Sequence, residues 1–448
     1  MVLKLNVPAQ VRQILDKFTK ERFEIYIVGG VVRDALLGKE LDDWDFTTNA
    51  HPEQILNLFP EGFYDNKYGT VGIENQKGGP PYEITTFRTE LGYSDSRHPD
   101  EVKWGQTLEE DLQRRDFTIN AMALRPNLEL IDLYGGEADL QAKLIRAVGN
   151  PTQRFAEDAL RMLRAVRLAA QLGFSIETRT LAAIKAHAPL IAKMSAERIR
   201  DELLKLMGSS YPVDGYLMLR NCGLGAEILP EMEQTFGVAQ QSPGRHHIYD
   251  VGTHSVESLR HCKSNDPITR LATLIHDVGK VKTQKIYPDG RITFYNHEME
   301  SAKIASKIAD RLRFSNAQTD KFGRLVRWHQ FSVDERQTDS AIRRFIKNVG
   351  LENISDMLAL RVGDRLGGGA RETSWRLEKY KQRLLQVQKQ PFSVSDLKID
   401  GNDVMKIKKV TSGPLVGKYL VALFNEVVEK GLPNEKEILV ERLKALNS

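Results

Sequence analysis

The sequence is poor in cysteine and contains no long apolar segment. Its 448 residues include two cysteines, Cys222 and Cys262, which are too few for a disulfide framework and match no CxxC metal-binding pattern. No stretch approaches the roughly 18 consecutive apolar residues of a membrane-spanning helix. These absences argue against a disulfide-stabilised scaffold and against an integral membrane protein, and they favour a cytoplasmic location.

A strong charge of one sign is also missing. Lys and Arg total 64 and Asp and Glu total 60, so the net charge is +4. This mildly basic balance permits nucleic-acid binding through local patches without requiring it. The contents of hydrophobic residues (41%) and charged residues (28%) are ordinary for a soluble protein, and the length predicts about two to four domains.

The most informative stretch is IYIVGGVVRDALLGKELDDWDFTTNA, residues 25–50. Its pattern predicts an apolar strand, a two-glycine turn, a short helix, and a second strand that carries Asp43 and Asp45. Residues two apart in a strand point to the same side, so both carboxylates are expected to hold Mg²⁺ beside substrate phosphates. The glycines let an anion approach the helix N-terminus, and Arg33 can pair with phosphate.

This stretch resembles motif A of the nucleotidyltransferases of the DNA polymerase β superfamily. More narrowly, GGVVRDALLG followed by DDWDFTT resembles the class II tRNA nucleotidyltransferases, which are the CCA-adding enzymes, and their bacterial poly(A) polymerase relatives. The resemblance implies template-independent addition of CCA to tRNA 3′ ends from CTP and ATP, with two Mg²⁺ ions. The nucleotide-binding residues that follow from the residues and the resemblance are Gly29, Gly30, Arg33, Arg115, Asp158, Arg161, Arg164 and Arg167.

The expected fold class is α+β. A small nucleotidyltransferase palm, with a mixed sheet and helices, precedes all-helical neck, HD and tail domains, and the tail is expected to bind tRNA. The expected boundaries are 1–146 for the head, 147–235 for the neck, 236–370 for the HD domain and 371–448 for the tail.

Two segments between the metal strand and the neck leave alternatives open. YGTVGIEN and PYEITTFR predict a hairpin, and Glu83 on its second strand either reaches the metal site as a third carboxylate or faces solvent. Residues 91–105 follow neither period and predict a functional or disordered loop, similar to the flexible loop of CCA-adding enzymes.

The segment Arg114-Arg115-Asp116 follows a helix with an acidic start. A pair of arginines beside the metal strands can neutralise a triphosphate. The segment matches the RRD motif of the family, which implies that Arg115 binds the nucleotide. Asp116 is expected either to orient Arg115 or to lie on the ribose side.

The segment RFAEDALRMLRAVRLAAQLGF predicts one amphipathic helix. Asp158, Arg161, Arg164 and Arg167 recur every three residues and are expected to share one face. Cytosine and adenine both present an amino donor beside a ring-nitrogen acceptor, so a carboxylate next to an arginine would accept these bases and reject uracil and guanine. EDALR matches the family motif EDxxR, and Glu157 is expected to hold the guanidinium of Arg161.

The second half of the sequence contains a spaced series of histidines and aspartates. The order H…HD…D resembles the HD-domain metal phosphohydrolases. The resemblance implies four metal ligands, which are His254, His276, Asp277 and Asp364. His297 and His329 would complete a second metal position, and mixed ligands of this kind suit Ni²⁺, Mn²⁺ or a similar transition metal better than Mg²⁺.

Other functions share most of these motifs. An A-adding tRNA nucleotidyltransferase or a poly(A) polymerase would carry nearly all of them. A protein of another class, an HD metal phosphohydrolase with an RNA-binding front end, would not need Asp43 and Asp45, whose presence argues against it.

Overall fold

The computed structural model describes residues 1–65, 69–76, 78–91, 101–241, 248–331, 333–334, 336–388, 394–430 and 432–446. Most of the predicted loop at 91–105 lies outside these residues. The chain forms two compact units, Met1–Glu233 with Arg311–Arg313, and Gln234–Asp310 with Phe314–Ser448. Each unit is described by itself.

A seven-stranded mixed sheet forms the centre of the first unit, in the order β3-β4-β5-β2-β1-β8-β9. The strands of this unit are β1 (Ile25–Val28), β2 (Asp45–Thr48), β3 (Phe63–Asp65), β4 (Thr70–Ile73), β5 (Tyr82–Thr86), β6 (Arg88–Leu91), β7 (Glu101–Trp104), β8 (Met122–Leu124), β9 (Leu130–Asp132), β10 (Leu144–Ile145) and β11 (Ser175–Ile176). All four residues of β1 are buried, as its apolar run requires of a central strand. β2 and β5 run parallel, and β4 pairs with β5 in the predicted hairpin.

The first three helices of this unit pack on the sheet, and its C-terminal part is mostly helical. The helices of the first unit are α1 (Ala9–Lys20), α2 (Gly30–Leu36), α3 (Pro52–Leu58), α4 (Leu108–Gln113), α5 (Gly136–Gln141), α6 (Pro151–Glu157), α7 (Leu160–Leu172), α8 (Thr178–His187), α9 (Ala196–Met207), α10 (Pro212–Asn221), α11 (Leu224–Ile228) and α12 (Pro230–Glu233). The apolar residues of α1, α2 and α3 form one core with the sheet. The apolar stripe predicted for the neck is buried on α6 and α7.

The second unit is helical apart from one small hairpin. Its helices are α13 (Val251–His261), α14 (Pro267–Ile275), α15 (Lys280–Thr283), α16 (His297–Arg311), α17 (Asn316–Trp328), α18 (Asp339–Val349), α19 (Ile354–Gly367), α20 (Trp375–Gln388), α21 (Gly401–Lys408), α22 (Pro414–Lys430) and α23 (Lys436–Ala445), and its strands are β12 (Lys285–Ile286) and β13 (Ile292–Thr293). The last three helices share a separate apolar core. Among the described residues, no helix combines the length and apolar character needed to cross a bilayer.

The α+β fold class is confirmed, with two local corrections. β2 begins at Asp45, so Asp43 lies in irregular backbone before the strand, and the two carboxylates do not share one strand. The predicted single neck helix is two helices, because α6 ends at Glu157 and α7 begins at Leu160. The division into four domains stays a prediction.

Candidate active site

One cavity of about 790 Å³ in the first unit is lined by the site residues that the sequence predicts in that unit. The predicted site residues that line it are Gly29, Gly30, Arg33, Asp43, Asp45, Arg115, Asp158, Arg161, Arg164 and Arg167. Glu83 also lines this cavity. The site therefore combines residues from the sheet with residues from the helices that follow it.

Three carboxylates from two chain segments, those of Asp43, Asp45 and Glu83, lie near one another in this cavity. Asp45 begins β2, and the parallel pairing of β2 with β5 places Glu83 opposite it in register. Burial, followed by the charges of Asp43 and Glu83, raises the pKa of Asp45 to about 7. A bound cation would offset both the burial of this charge and the repulsion between the carboxylates, and hard oxygen donors suit Mg²⁺. The donor set therefore fits a divalent cation.

The glycine turn brings backbone close to these carboxylates. Gly29 has a φ of 81°, a left-handed conformation that favours glycine. A Cβ atom built there would lie 3.3 Å from Oδ2 of Asp45 and 3.5 Å from Nη1 of Arg115. A larger residue would therefore be strained and would crowd both the carboxylate and the arginine.

Arg33 is held by two residues that the sequence analysis did not select. Its Nε and Nη2 atoms donate to the carboxylate of Asp34 at 3.0 and 2.8 Å. Its Nη1 atom donates to Oδ1 of Asn120 at 2.7 Å. These contacts fix the guanidinium at the wall of the cavity.

The partner of Arg115 is Asp111, so the prediction that Asp116 orients Arg115 is wrong. Asp111 lies on α4 and accepts from Arg114 at 2.6 Å and from Arg115 at 3.2 Å. Burial acts to raise the pKa of Asp111, but the two arginines lower it below its ordinary value. The residues are three and four apart on or just after one helix, so they meet on one face.

Asp116 instead joins the end of the RRD segment to the neck. Its Oδ2 atom accepts from Arg164 at 2.7 Å, and its Oδ1 atom accepts from the backbone N–H of Phe117 and the amide of Asn120. Burial acts to raise the pKa of Asp116, yet Arg164 and these donors lower it. Asp116 therefore holds Arg164 against the cavity.

Asp158 lies at the break between α6 and α7 and does not share a helical face with the arginines. It adopts an extended conformation, and its Oδ1 atom accepts from the backbone N–H of Leu160 at 3.0 Å. A carboxylate that satisfies the first N–H groups of a helix favours a new helix start over continuity. The other Asp158 oxygen accepts from Arg198 at 2.7 Å.

Arg161 is held as the sequence predicts, by Glu157. Its Nη1 atom donates to Oε2 of Glu157 at 2.6 Å. Its Nη2 atom donates to the backbone carbonyl of Arg114 at 3.1 Å. Asp158 and Arg161 therefore line the same cavity, although they arrive there from the connection and the helix rather than from one helical face.

Helix α9 supplies three further cavity residues, Arg198, Glu202 and Lys205. Arg198 pairs with Asp158, and Glu202 pairs with Arg167 at 2.5 Å. The sequence analysis treated this helix as structural, with Ser195 as its N-cap; Ser195 occupies the cap position but makes no side-chain cap hydrogen bond. The four-residue spacing of Arg198 and Glu202 was the available signal, since it places both on one face.

Comparison with known proteins identifies the family of this chain. Family models match residues 25–146 (Poly A polymerase head domain), 173–236 (RNA and SrmB-binding site of polymerase A) and 264–443 (tRNA nucleotidyltransferase domain 2). The CCA-adding enzyme of Lactiplantibacillus plantarum is 33% identical over 97% of this chain and 96% of its own length. The chain belongs to the CCA-adding enzymes.

Further relatives of this CCA-adding family member are similar over nearly the whole chain. The CCA-adding enzyme of Levilactobacillus brevis is 35% identical over 96% of both chains. The crystal structure of the Bacillus stearothermophilus CCA-adding enzyme in complex with CTP matches with a TM-score of 0.69 at 27% identity, over 98% of both chains. The chain is thus an enzyme of the tRNA nucleotidyltransferase class, whose members use divalent metal ions.

The second unit of this CCA-adding enzyme contains a buried cluster of histidines and aspartates. Its members, which include all four predicted HD ligands, are His254, His276, Asp277, His297, His329 and Asp364. Suitable ligand atoms of His254, His276 and Asp364 lie within 4.8 Å of one another, as do those of His276, Asp277 and His329. The cluster lies where five helices begin, end or pass, namely α13, α14, α16, α17 and α19.

The hydrogen bonds of the cluster leave ring nitrogens facing one another. The Nδ1 atoms of His276, His297 and His329 lie 2.7–2.9 Å from backbone carbonyls, which turns their Nε2 atoms toward one another and toward the carboxylate of Asp277. The Nε2 atoms of His297 and His329 lie 3.2 Å apart. Ring nitrogens that converge with carboxylate oxygens in this way are a donor set that suits a transition metal, so the ring orientation fits a metal.

Proposed function

We propose that this enzyme adds C, C and A in turn to the 3′ end of tRNA from CTP and ATP without a nucleic-acid template. The observation that carries the proposal is one cavity lined by three carboxylates, a glycine turn, paired arginines, and the pair Asp158 and Arg161. The relatives named above are CCA-adding enzymes, and the B. stearothermophilus structure contains CTP.

Asp43 and Asp45 are proposed to hold two Mg²⁺ ions, with Glu83 as a third carboxylate. When bound, the ions lower the pKa of the tRNA 3′-hydroxyl and stabilise the leaving pyrophosphate. The raised pKa of Asp45 supports this assignment, because it results first from burial and then from the negative charges of Asp43 and Glu83, and a bound cation offsets both. The sheet register keeps the carboxylates of Asp45 and Glu83 adjacent for that purpose.

The arginines of the cavity are proposed to bind the triphosphate. Each of Arg33, Arg115 and Arg164 is held by a carboxylate and lines the cavity, so little side-chain entropy is lost when phosphate oxygens bind. Gly29 and Gly30 let the phosphates approach the backbone, and Arg167 adds charge near Glu202.

Asp158 and Arg161 are proposed to select the base. The carboxylate of Asp158 would accept from the exocyclic amino group, and Arg161 would donate to the ring nitrogen beside it. Both partners are present only on cytosine and adenine in that arrangement. Glu157 and Arg198 set the positions of the two reading groups.

Three-prime-end sequencing tests this proposal against A addition and poly(A) synthesis. The purified chain is incubated with tRNA that ends at the discriminator base, with CTP and ATP, and the products are sequenced. We expect termini ending in CCA. Addition of A alone to a tRNA that already ends in CC, or long runs of A, would assign one of the alternatives.

A second activity is proposed for the buried cluster of the second unit. His254, His276, Asp277 and Asp364 would hold a transition metal such as Ni²⁺ or Mn²⁺, and His297 and His329 would complete a second position. The facing Nε2 atoms of His297 and His329 support this proposal. The fitting chemistry is phosphoester hydrolysis, in which water adds to phosphorus, one P–O bond breaks and the leaving hydroxyl takes the proton.

Damaged RNA ends with terminal or 2′,3′-cyclic phosphates are the proposed substrates, since such ends block extension. Metal analysis with hydrolysis of a cyclic-phosphate substrate tests this activity. The four-domain division, with a tRNA-binding tail at 371–448, and the cytoplasmic location are kept as parts of the proposal.

A further inference from the structure

A basic groove of about 510 Å³ lies in the second unit beside the histidine cluster. Its wall residues from the end of α17 onward, from α19 and from the start of α20 are Gln330, Phe331, Val333, Arg361, Arg365, Ser374, Arg376 and Leu377. Three of these side chains are arginines. Among the described residues that line the groove, none is acidic.

The arginines are placed to bind anions. The buried Nε atom of Arg361 has no hydrogen-bond partner among the described residues. The Nε atom of Arg365 donates to the backbone carbonyl of Arg371 at 3.2 Å. This hydrogen bond fixes the side chain and does not involve the two terminal nitrogens. Arg376 is exposed. Its charge helps to lower the pKa of Asp334, but that carboxylate is paired with Arg336 at 3.0 Å.

Aromatic rings accompany this positive charge. Arg361 lies 5.4 Å from the centre of the Phe331 ring. Trp375, directly before Arg376, is 61% exposed, although an indole of this size is usually covered. Phe331 itself is buried, whereas the Trp375 ring is exposed beside these arginines. Basic side chains beside an exposed aromatic ring are typical of grooves that bind single-stranded nucleic acid, where a base stacks on the ring.

The groove adjoins the cavity of the histidine cluster. A second cavity of about 490 Å³ contains Asp277, His297, His329 and Asp364, and it shares Gln330 and Arg361 with the groove. Arg361 makes the connection physically, since its Nη1 atom donates to Oδ2 of Asp364 at 3.0 Å. A ligand bound with one phosphate at the cluster would extend along the arginines.

We propose that this groove binds the last nucleotides of a single-stranded RNA 3′ end and directs the terminal phosphate to the histidine cluster. Arg365 and Arg376 contact backbone phosphates, and Trp375 stacks on a base. The reactivity of the bound end rests on the proposed hydrolase function, whereas the binding does not. The inference names the substrate class as an oligonucleotide end rather than a free nucleotide.

Binding to the full-length protein tests the groove without any hydrolysis. A fluorescent oligoribonucleotide ending in a 2′,3′-cyclic phosphate is titrated in chelator, at several salt concentrations. We expect the double variant Arg365→Ala/Arg376→Ala to bind at least about tenfold more weakly and to lose about 1.4 from the salt slope, about 0.7 for each phosphate contact. Arg260→Ala, which removes a surface arginine of α13 paired with Glu257, is the matched control.

Stacking has its own variant pair. Trp375→Ala should weaken oligoribonucleotide binding by at least about fivefold, and Trp375→Phe should restore most of it. Inorganic polyphosphate is the competitor, and it should compete poorly with RNA. Polyphosphate that competes as well as RNA, or a double variant that binds like Arg260→Ala, would overturn the inference.

Hydrolysis by the metal-loaded enzyme separates this inference from the proposed function. In the double variant we expect kcat/KM to fall about tenfold for the oligoribonucleotide, in proportion to binding, and to stay unchanged for adenosine 2′,3′-cyclic phosphate. Equal losses for both substrates would overturn the groove. If no variant hydrolyses either substrate but the binding difference persists, the groove stands and the hydrolase proposal falls.

Discussion

The carboxylate of Asp158 lies 2.7 Å from the guanidinium of Arg198, although the residues are 40 positions apart in the chain. The same carboxylate accepts from the backbone N–H of Leu160, so both of its oxygens have a fixed partner. A base-reading acceptor that is held on two sides discriminates better than a mobile one, because misplaced donors cannot be accommodated by rotation. Arg198 is therefore expected to act as a positioning residue for base selection.

Replacing Arg198 should relax this selection. Leu160 still anchors one oxygen in Arg198→Ala, so we expect a loss of about tenfold in the preference for CTP and ATP over UTP and GTP, from one charge-assisted hydrogen bond. Arg198→Lys should recover part of it, since lysine supplies charge without the planar pair of donors. Competition assays with mixed nucleotides measure the preference.

The control for that experiment is Arg125→Ala, which removes a half-exposed arginine that is paired with Glu129 and does not line the cavity. An Arg198→Ala enzyme with reduced turnover but unchanged selectivity would assign Arg198 to phosphate binding instead. In that case Asp158 would be positioned by Leu160 alone.

Arg161→Ala should have the larger effect on base choice. Arg161 donates directly to the base in the proposed complex, and the loss of a hydrogen bond to a charged group costs about 1.5–3 kcal/mol, or roughly one to two decades in rate. Glu157→Gln should give a smaller loss, because it weakens only the support of the guanidinium at 2.6 Å. Selectivity as high as that of the parent in Arg161→Ala would exclude the neck as the base reader.

Local patterns predicted most of the elements that carry the site. Strand β1, helix α2 and the β4–β5 hairpin follow from apolar runs, glycine turns and alternation, which act over a few residues. The motif residues that these elements carry then meet residues of the later helices at one cavity. The prediction was weakest where two local preferences compete.

The break at Asp158 is an example of such competition. The apolar stripe runs unbroken through α6 and α7, so periodicity favours one helix. The carboxylate of Asp158 accepts a hydrogen bond from the backbone N–H of Leu160, and this contact favours the start of a new helix. The contacts of Asp158 with Arg198 and of Asp116 with Arg164 span 40 and 48 positions, and no local pattern can show which residues meet at such separations.

The stability of the metal-free enzyme should fall as the pH rises, through Asp45. Its folded-state pKa is raised to about 7 from 3.8, so the folded state binds a proton that the unfolded state has released between these values. Stability is lost as the pH rises across that window, by up to about 4 kcal/mol. Asp45→Asn should therefore melt at a higher temperature than the parent at about pH 8, and at a similar temperature near about pH 4.

Mg²⁺ provides the complementary measurement. Added Mg²⁺ should raise the melting temperature of the parent at about pH 8 and should have a much smaller effect on Asp45→Asn, because binding to the folded state alone stabilises it. A parent that melts identically at both pH values, and identically with and without Mg²⁺, would contradict the carboxylate site.

The histidine cluster should be separable from nucleotide addition. Asp277→Ala should remove bound Ni²⁺ or Mn²⁺ and the associated phosphohydrolase activity and spare CCA synthesis. Asp277 is also paired with the buried Lys280 at 2.6 Å, and breaking a buried pair costs about 3–5 kcal/mol, so Asp364→Asn provides a second, milder variant.

His261→Ala, at the end of the same helix as His254 but outside the cluster, is the control for metal content. Elemental analysis of the purified proteins, beside an assay on a cyclic-phosphate substrate, gives the result. A parent protein with neither transition metal nor hydrolysis would mean that the histidines have a structural role.

The most direct test of the central claim compares the parent with Asp43→Ala and Asp45→Ala in extension of a tRNA that lacks CCA. The account predicts complete CCA ends with the parent, and loss of both C and A addition in each variant. It also predicts that tRNA binding, measured in parallel, stays largely intact. Substantial addition of either nucleotide by Asp43→Ala or Asp45→Ala would contradict the assignment of nucleotidyl transfer to this cavity.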